Sequence, residues 1–124
     1  MNTASSSSRS TRLLVVDSAD FYRQNFARHL ASRRCLVSLA ETSEQARRLL
    51  KDNTFDLALI DMDAPNVNAV SLTQRIHSER PMTKVVVVTC CGNDELWVDF
   101  LNAGASDLLE TPLRPQDLER ILTQ

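Results

Sequence analysis

Three polar residues, Asp61, Asp17 and Thr89, each directly follow a run of four apolar residues. Continuous apolar runs of this length are typical of strands buried inside a parallel sheet. Ligands of such sheets bind at the carboxyl ends of the strands, where these three side chains would gather. Carboxylates can act as nucleophiles and can hold hard cations. The sequence therefore predicts a ligand site at one edge of a sheet, with Asp61 as the leading candidate residue.

The elements that would position these side chains alternate between strand and helix from Arg12 onward. This alternation predicts βαβ units in a single α/β domain, with a doubly wound, parallel, five-stranded sheet. The predicted strands are 13–16, 36–39, 57–60, 85–88 and 106–109. The predicted helices are 20–32, one that starts at Thr42 and includes Leu50, 68–79, 93–103 and 115–122.

The predicted helices carry signals at their ends. Asp20 is the expected N-cap of the first helix, and Thr42 with Gln45 matches a capping box. Gly104 suits a left-handed position after the fourth helix, and Pro115 fits the first turn of the last helix.

The composition is that of one soluble globular domain. The chain has 124 residues, and none of its apolar runs approaches the ~20 residues that span a bilayer. The opening residues lack the apolar stretch of a signal peptide, so a cytoplasmic location without membrane contact is expected. A net charge of -2 gives no basic surface for nucleic acid. Residues 1–11 are rich in Ser and are predicted to be a flexible tail, with the folded domain at 12–124.

The three cysteines, Cys35, Cys90 and Cys91, are odd in number and lack the spacing of a zinc site. We expect them to be reduced and mostly buried. The adjacent pair raises a redox hypothesis, but buried thiols without a nearby positive charge are usually inert.

Four short motifs, in this order, resemble the receiver domain of two-component response regulators: Leu14-Val15-Val16-Asp17, Asp61 with Pro65, Val88-Thr89, and Gly104-Ala105-Ser106-Asp107 with Pro112. The resemblance covers Arg12 to Leu122 and implies the flavodoxin-like receiver fold. It further implies that Asp61 accepts a phosphoryl group from a histidine kinase or phosphotransfer protein, and that Thr89 is the switch hydroxyl. Such a domain is regulatory rather than an enzyme, apart from self-catalysed phosphoryl transfer to and from Asp61.

The same resemblance implies a Mg²⁺ site, because a cation must reduce the repulsion between the acceptor carboxylate and the phosphoryl oxygens. The implied ligands are Asp17, Asp61 and the backbone carbonyl of Asp63. The family has a second acid directly after Asp17, where this chain has Ser18, a neutral and weaker ligand. Mg²⁺ binding is therefore expected to be weakened, unless the Asp63 side chain restores the missing charge; the alternative is that Asp63 is a solvated loop acid.

Two further family positions differ. The lysine that neutralises phosphoryl oxygens corresponds to Thr111, which brings no positive charge. The aromatic residue whose side chain moves with the switch hydroxyl corresponds to Leu108.

Trp97 and Phe100 lie one helical turn apart in the predicted fourth helix. In the family, this helix, the last strand and the last helix form the output or dimer surface. The resemblance therefore implies that Trp97, Phe100 and Leu108 contact a protein partner, the chain's own output domain or a second copy. The alternative is that the two aromatic rings fill the volume left by Leu108.

Three functions follow from these observations. The favoured one is an atypical receiver that acts as a regulatory interaction module, with Asp61 phosphorylation weakened or absent. The second is a conventional phospho-accepting receiver that a histidine kinase switches with Mg²⁺. The third, a small enzyme or cofactor carrier, is disfavoured because the chain has only two glycines and no glycine loop for phosphate.

Overall fold

The computed structural model describes residues 10–31 and 33–123. In these described ranges, five strands form one sheet: β1 (Thr11–Val16), β2 (Cys35–Ala40), β3 (Leu57–Asp61), β4 (Lys84–Thr89) and β5 (Asp107–Glu110). Most of the predicted flexible tail lies outside the described residues. Thr11, its last residue, already pairs with Cys35 in the sheet.

The strands are parallel and lie in the order β2-β1-β3-β4-β5. This arrangement confirms the predicted five-stranded α/β fold. All residues of β3 are buried, and its last residue, Asp61, pairs with Val88 of β4. The carboxyl ends of β1, β3 and β4 therefore meet at one edge, as parallel pairing requires.

Within residues 10–31 and 33–123, six helices cover the sheet: α1 (Ala19–Asn25), α2 (Ala27–Ala31), α3 (Ser43–Asp52), α4 (Ala69–Glu79), α5 (Asp94–Ala103) and α6 (Pro115–Leu122). Alternate residues of β1 point to opposite faces of the sheet. Leu14 and Val16 pack with residues of α3, α4 and α5, whereas Leu13 and Val15 pack with residues of α1, α2 and α6. The sheet is therefore doubly wound, with a core on each face. No helix in the two described ranges is long and apolar enough to cross a membrane.

The ends of the first helix differ from the prediction. Ser18, not Asp20, is the N-cap: its hydroxyl accepts the N–H of Phe21 at 3.1 Å, and Asp20 already lies within the first turn. The predicted single helix is also divided at Phe26, whose φ of -116° departs from helical geometry.

Other predicted helix ends are confirmed. The Thr42 hydroxyl accepts the N–H of Gln45, while the Gln45 side chain accepts the N–H of Glu41 instead of that of Thr42. Gly104 ends α5 with φ of +108°. Pro115 occupies the first turn of α6.

Candidate functional site

The carboxyl edge of the sheet holds a cavity of about 240 Å³ that contains every predicted catalytic and metal residue. Its lining consists of Asp17, Ser18, Phe21, Asp61, Asp63, Ala64, Pro65, Thr89, Cys90 and Thr111. A larger cavity, of about 500 Å³, lies between α3 and α4, but most of its ionic side chains are exposed and include the i,i+4 pairs Glu44–Arg48 and Arg75–Glu79. The smaller cavity is therefore the candidate site, because of the side chains that line it and in spite of its smaller volume.

Asp17 follows β1 and is only 1% exposed. Its N–H donates to the Ala40 carbonyl at 2.9 Å, and its Oδ1 accepts the N–H of Ser18 at 2.8 Å. Its Oδ2 is buried without a hydrogen-bond partner. Burial and the nearby Asp61 carboxyl raise the pKa of Asp17 to about 8. Asp17 therefore carries an unsatisfied oxygen that a proton or a cation would stabilise.

Asp61 ends β3 and is also buried. Burial raises the pKa of Asp61, although the N–H that Asp63 donates to its Oδ1 at 2.8 Å acts in the opposite direction. Two neighbouring buried carboxyls with raised pKa values form a pair that holds a proton more readily than free carboxyls do, and no basic side chain is among the described residues lining the cavity.

The Asp63 carboxylate bridges the loops that follow β3 and β4. Its Oδ2 accepts the N–H of Cys90 at 2.8 Å and the hydroxyl of Thr89 at 3.3 Å. Its Oδ2 is therefore turned toward β4. In the described ranges, no group of three acidic, cysteine or histidine side chains is arranged to hold a metal ion.

Thr89 is buried at the end of β4, and its hydroxyl takes part in two hydrogen bonds. Its hydroxyl donates to Asp63 and accepts the N–H of Cys91 at 3.3 Å. The Thr111 N–H donates to the Thr89 carbonyl at 2.9 Å, which places Thr111 at the cavity. The bond between Thr111 and Pro112 is cis. No lysine or arginine is among the described residues that line this cavity.

Ser18 borders the cavity, but its hydroxyl already accepts the N–H of Phe21 as the cap of α1. One of the two lone pairs of the Ser18 oxygen is thereby occupied. The remaining donors fit a divalent cation in part: Asp17 offers a buried oxygen without a partner, and Asp61 offers a second carboxylate. With Asp63 contributing its backbone carbonyl, such a cation would neutralise the pair and the charge of a phosphoryl group.

The predicted interaction surface needs one correction. Phe100 is 1% exposed and packs in the core cluster that also contacts Leu108, so a surface role for Phe100 is wrong. Trp97 and Leu108 are half-buried and border one shallow cavity. Val98 and Leu101, which the sequence reading missed, are 52% and 45% exposed. The signal for them was an excess of apolar residues in α5, more than one buried face requires.

The cysteines need a second correction. Cys90 and Cys91 are exposed, and Cys35 is half-buried, so the expectation of mostly buried thiols is wrong for the adjacent pair. The pair lies in the loop after β4, beyond the buried part of the strand. The Cys91 sulfur and the Asp63 carboxylate raise the pKa of Cys90 to about 11.

The fold and this site define a class of signalling domain. The model of the response regulator receiver domain family matches residues 13–123, and the chain belongs to that family. Receiver domains are regulatory components of two-component signalling. They bind Mg²⁺ at their phosphorylation site and interact with histidine kinases or phosphotransfer proteins and with output domains.

Particular relatives agree with this assignment. The chain is 33% identical over 110 residues to the response regulator protein PilR of Pseudomonas aeruginosa, covering 89% of this chain and 24% of PilR. It is 32% identical over 97 residues to the response regulator GacA of the same organism, covering 77% of this chain and 45% of GacA. A CheY-like receiver domain protein from Methanospirillum hungatei superposes with a TM-score of 0.82 at 28% identity, covering 93% of this chain and 92% of that one. The chain thus spans less than half the length of these curated relatives.

Proposed function

We propose that this chain is an atypical receiver domain that acts as a regulatory protein-interaction module, with phosphorylation of Asp61 weakened or absent. One observation carries the proposal. Three acidic side chains and no basic one are found among the described residues that line the cavity. An incoming phosphoryl group would add negative charge to a site that already lacks a counter-charge.

The cation that would supply this charge is expected to bind weakly. Ser18 replaces a carboxylate, and its hydroxyl is committed to the cap of α1. The Asp63 carboxylate is committed to Cys90 and Thr89. Changes in groups that only support metal ligands cost about 10- to 100-fold in affinity, so loss of a direct anionic ligand should cost at least as much.

The transferred group would also lack a cationic partner from the protein. Thr111 can offer one neutral hydrogen bond, and a charge-assisted bond is roughly twice as strong as a neutral one. A donor at position 111 would face the negative charge that develops on the phosphoryl oxygens in the transition state. Electrostatic stabilisation of such charge is usually the largest single contribution to catalysis. Both the formation and the lifetime of a phosphoryl group on Asp61 should therefore be reduced.

The surface that remains for signalling lies on α5. Trp97, Val98 and Leu101 expose apolar area there, and half-buried Leu108 of β5 adjoins Trp97. Tryptophan is enriched among the few residues that dominate the binding energy of protein interfaces, which makes Trp97 the leading candidate anchor. We propose that a protein partner, an output domain of the same protein or a second copy of the chain contacts this face. A cytoplasmic location is part of the same proposal.

One observation favours the conventional alternative, a receiver that a histidine kinase switches with Mg²⁺. The buried Asp17 Oδ2 has no partner, and a cation beside Asp61 would provide one. The alternative therefore requires that two carboxylates suffice for binding at cellular Mg²⁺ concentrations.

Phosphorylation by a small-molecule donor separates the two functions. The protein is incubated with acetyl phosphate and Mg²⁺, and the phosphoryl adduct is quantified by intact mass spectrometry, with Asp61→Asn as the control. We expect the double variant Ser18→Asp/Thr111→Lys to accumulate the adduct at least ~10-fold faster than the wild type, in line with the cost of a lost ligand. Rapid, stoichiometric labelling of the wild type that the double variant does not exceed would overturn the proposal.

A further inference from the structure

The loop after β4 places two thiols side by side at the mouth of the candidate site. Cys90 and Cys91 are both exposed, and their sulfur atoms lie 3.4 Å apart. Cys90 also lines the cavity that contains Asp61. Neither sulfur is needed for the receiver chemistry described above.

We propose that Cys90 and Cys91 form a reversible modification site, at which a small-molecule disulfide converts the dithiol into a vicinal disulfide. The sulfur atoms are already in contact, so closure requires rotation of two exposed side chains and adjustment of one short loop. Exposure gives the reagent access to both sulfurs, which buried thiols would not allow.

The reaction proceeds by two exchanges. A thiolate of the pair, whose formation alkaline pH favours because the pKa of Cys90 is raised, attacks one sulfur of the reagent R–S–S–R, which forms a mixed disulfide and releases R–S⁻. The second cysteine, as its thiolate after loss of a proton to solvent, attacks the protein sulfur of the mixed disulfide and releases another R–S⁻. Two electrons pass from the cysteines to the reagent, which leaves as two thiols after protonation.

A disulfide between adjacent residues cannot have ordinary geometry. Disulfides usually join Cα atoms about 4.4–6.8 Å apart, whereas consecutive Cα atoms are about 3.8 Å apart across a trans peptide. The backbone of Cys90 and Cys91 must therefore adjust when the bond forms. Strained and exposed disulfides are the ones that are readily reduced again, which suits a reversible modification.

This backbone adjustment would reach the site directly. The N–H of Cys90 donates to the Asp63 carboxylate at 2.8 Å, and the N–H of Cys91 donates to the Thr89 hydroxyl at 3.3 Å. Movement of either amide changes the hydrogen bonds of Asp63 and Thr89. Oxidation of the pair is therefore expected to alter the loops around Asp61 without any phosphoryl group.

Cys35 provides an internal control. It is half-buried and is the first residue of β2, at the amino edge of the sheet, whereas Cys90 and Cys91 lie at the carboxyl edge. It should not take part in the exchange within one chain.

The test uses metal-free protein and glutathione disulfide, followed by thiol titration and peptide mass spectrometry. We expect titratable thiols to fall from three to one, with a peptide that has lost two hydrogens between Cys90 and Cys91 and carries no glutathione. The Cys35→Ser variant should form the same link. The Cys91→Ser variant should instead retain one glutathione on Cys90. Stable glutathione adducts on both cysteines of the wild type, or only links between chains, would overturn the proposal.

Amide NMR spectra show whether the Cys90–Cys91 disulfide changes the structure around Asp63 and Thr89. Oxidation should shift the amide resonances of Asp63 and Thr89 as well as those of the pair, and a dithiol reductant should reverse the change. Shifts confined to Cys90 and Cys91 would contradict the coupling. Because no metal or phosphoryl donor is present, these results are independent of whether Asp61 can be phosphorylated.

Discussion

The carboxyl groups of Asp17 and Asp61 lie together in a buried position with no basic side chain among the described lining residues. Burial disfavours the charged form of both groups, and the Asp61 carboxyl raises the pKa of Asp17 further, whereas the hydrogen bond with Asp17 acts to lower the pKa of Asp61. The pair is therefore a source of instability in the metal-free protein, and it is also the feature that gives the site affinity for a cation. Substitutions at single residues can separate these two effects.

Asp17→Asn should stabilise the metal-free protein at pH 7 by about 1–3 kcal/mol, since one pKa unit corresponds to ~1.36 kcal/mol and Asp61 shares part of the effect. Between pH 3.8 and about 8, the folded protein keeps a proton on Asp17 that the unfolded chain has already released. Stability of the wild type should therefore fall as the pH rises through this range, and the slope should be smaller in the variant. Urea unfolding at several pH values measures both.

Asp99→Asn is the matched control, because Asp99 is an exposed acid on α5. It should change stability by less than ~0.5 kcal/mol. A loss of stability in Asp17→Asn at pH 7 would mean that the Asp17 carboxylate already has a stabilising partner.

Ser18→Asp should raise the Mg²⁺ affinity by at least ~10-fold, because it restores an anionic ligand beside Asp17. Asp is as good an N-cap as Ser, so α1 should keep its first turn. Ser18→Ala is the control: it loses the cap, costs about 1 kcal/mol of stability, and gains no affinity. Isothermal titration with Mg²⁺ measures the change, and equal affinities for Ser18→Asp and wild type would show that this position does not limit binding.

The end of α5 depends on a close contact with α4. Gly104 has φ of +108°, and a Cβ built there would lie 2.4 Å from Cγ of His77. Gly104→Ala should therefore destabilise the protein by about 2–4 kcal/mol through backbone strain and overpacking. Gly92→Ala is the control, since its Cβ would meet only the Glu110 side chain, at 3.0 Å.

Thermal unfolding compares these variants. His77→Ala in the Gly104→Ala background should recover only part of the steric loss, because the His77 Cβ, 2.6 Å from the added Cβ, remains. The part due to the positive φ should also remain. If Gly104→Ala and Gly92→Ala unfold at the same temperature, the close packing of α4 against the end of α5 is wrong.

The two faces of α5 should respond differently to truncation. Phe100→Ala should cost about 3–5 kcal/mol, because it opens a cavity in the core. Val98→Ala should change stability by less than ~0.5 kcal/mol, because Val98 is half exposed. Denaturant unfolding of both variants checks this, and equal losses would place Phe100 on the surface after all.

Local sequence patterns predicted most of the helices and strands. They predicted the exact ends of these elements and the conformations of the loops less well. The four consecutive valines before Thr89 predict a buried strand, and β4 indeed contains them. The pattern of Tyr22, Phe26 and Leu30 predicts one helix, yet the helix is divided at Phe26, although all three side chains still pack in the same core cluster. Ser18 and Asp20 are both good caps by type, so only the structure could choose between them.

The parallel sheet explains why the site itself was predictable. Once β1, β3 and β4 are known to be parallel, their carboxyl ends must bring Asp17, Asp61 and Thr89 together. The direction of the Asp63 side chain and the exposure of Cys90 depend on hydrogen bonds between two loops. Such long-range contacts leave no local pattern in the sequence.

The most direct test of the whole account is an amide-resolved NMR titration with Mg²⁺ and then beryllofluoride, which imitates a phosphoryl group on Asp61. Trp97 fluorescence is recorded in parallel. The wild type should respond weakly at millimolar Mg²⁺, with shifts limited to Asp17 and its neighbours. The Ser18→Asp/Thr111→Lys variant should show shifts centred on Asp17 and Asp61. Shifts in the wild type that saturate at low millimolar Mg²⁺ and spread from Asp61 through Thr89 to α5 would contradict the account and establish a working phosphoryl switch.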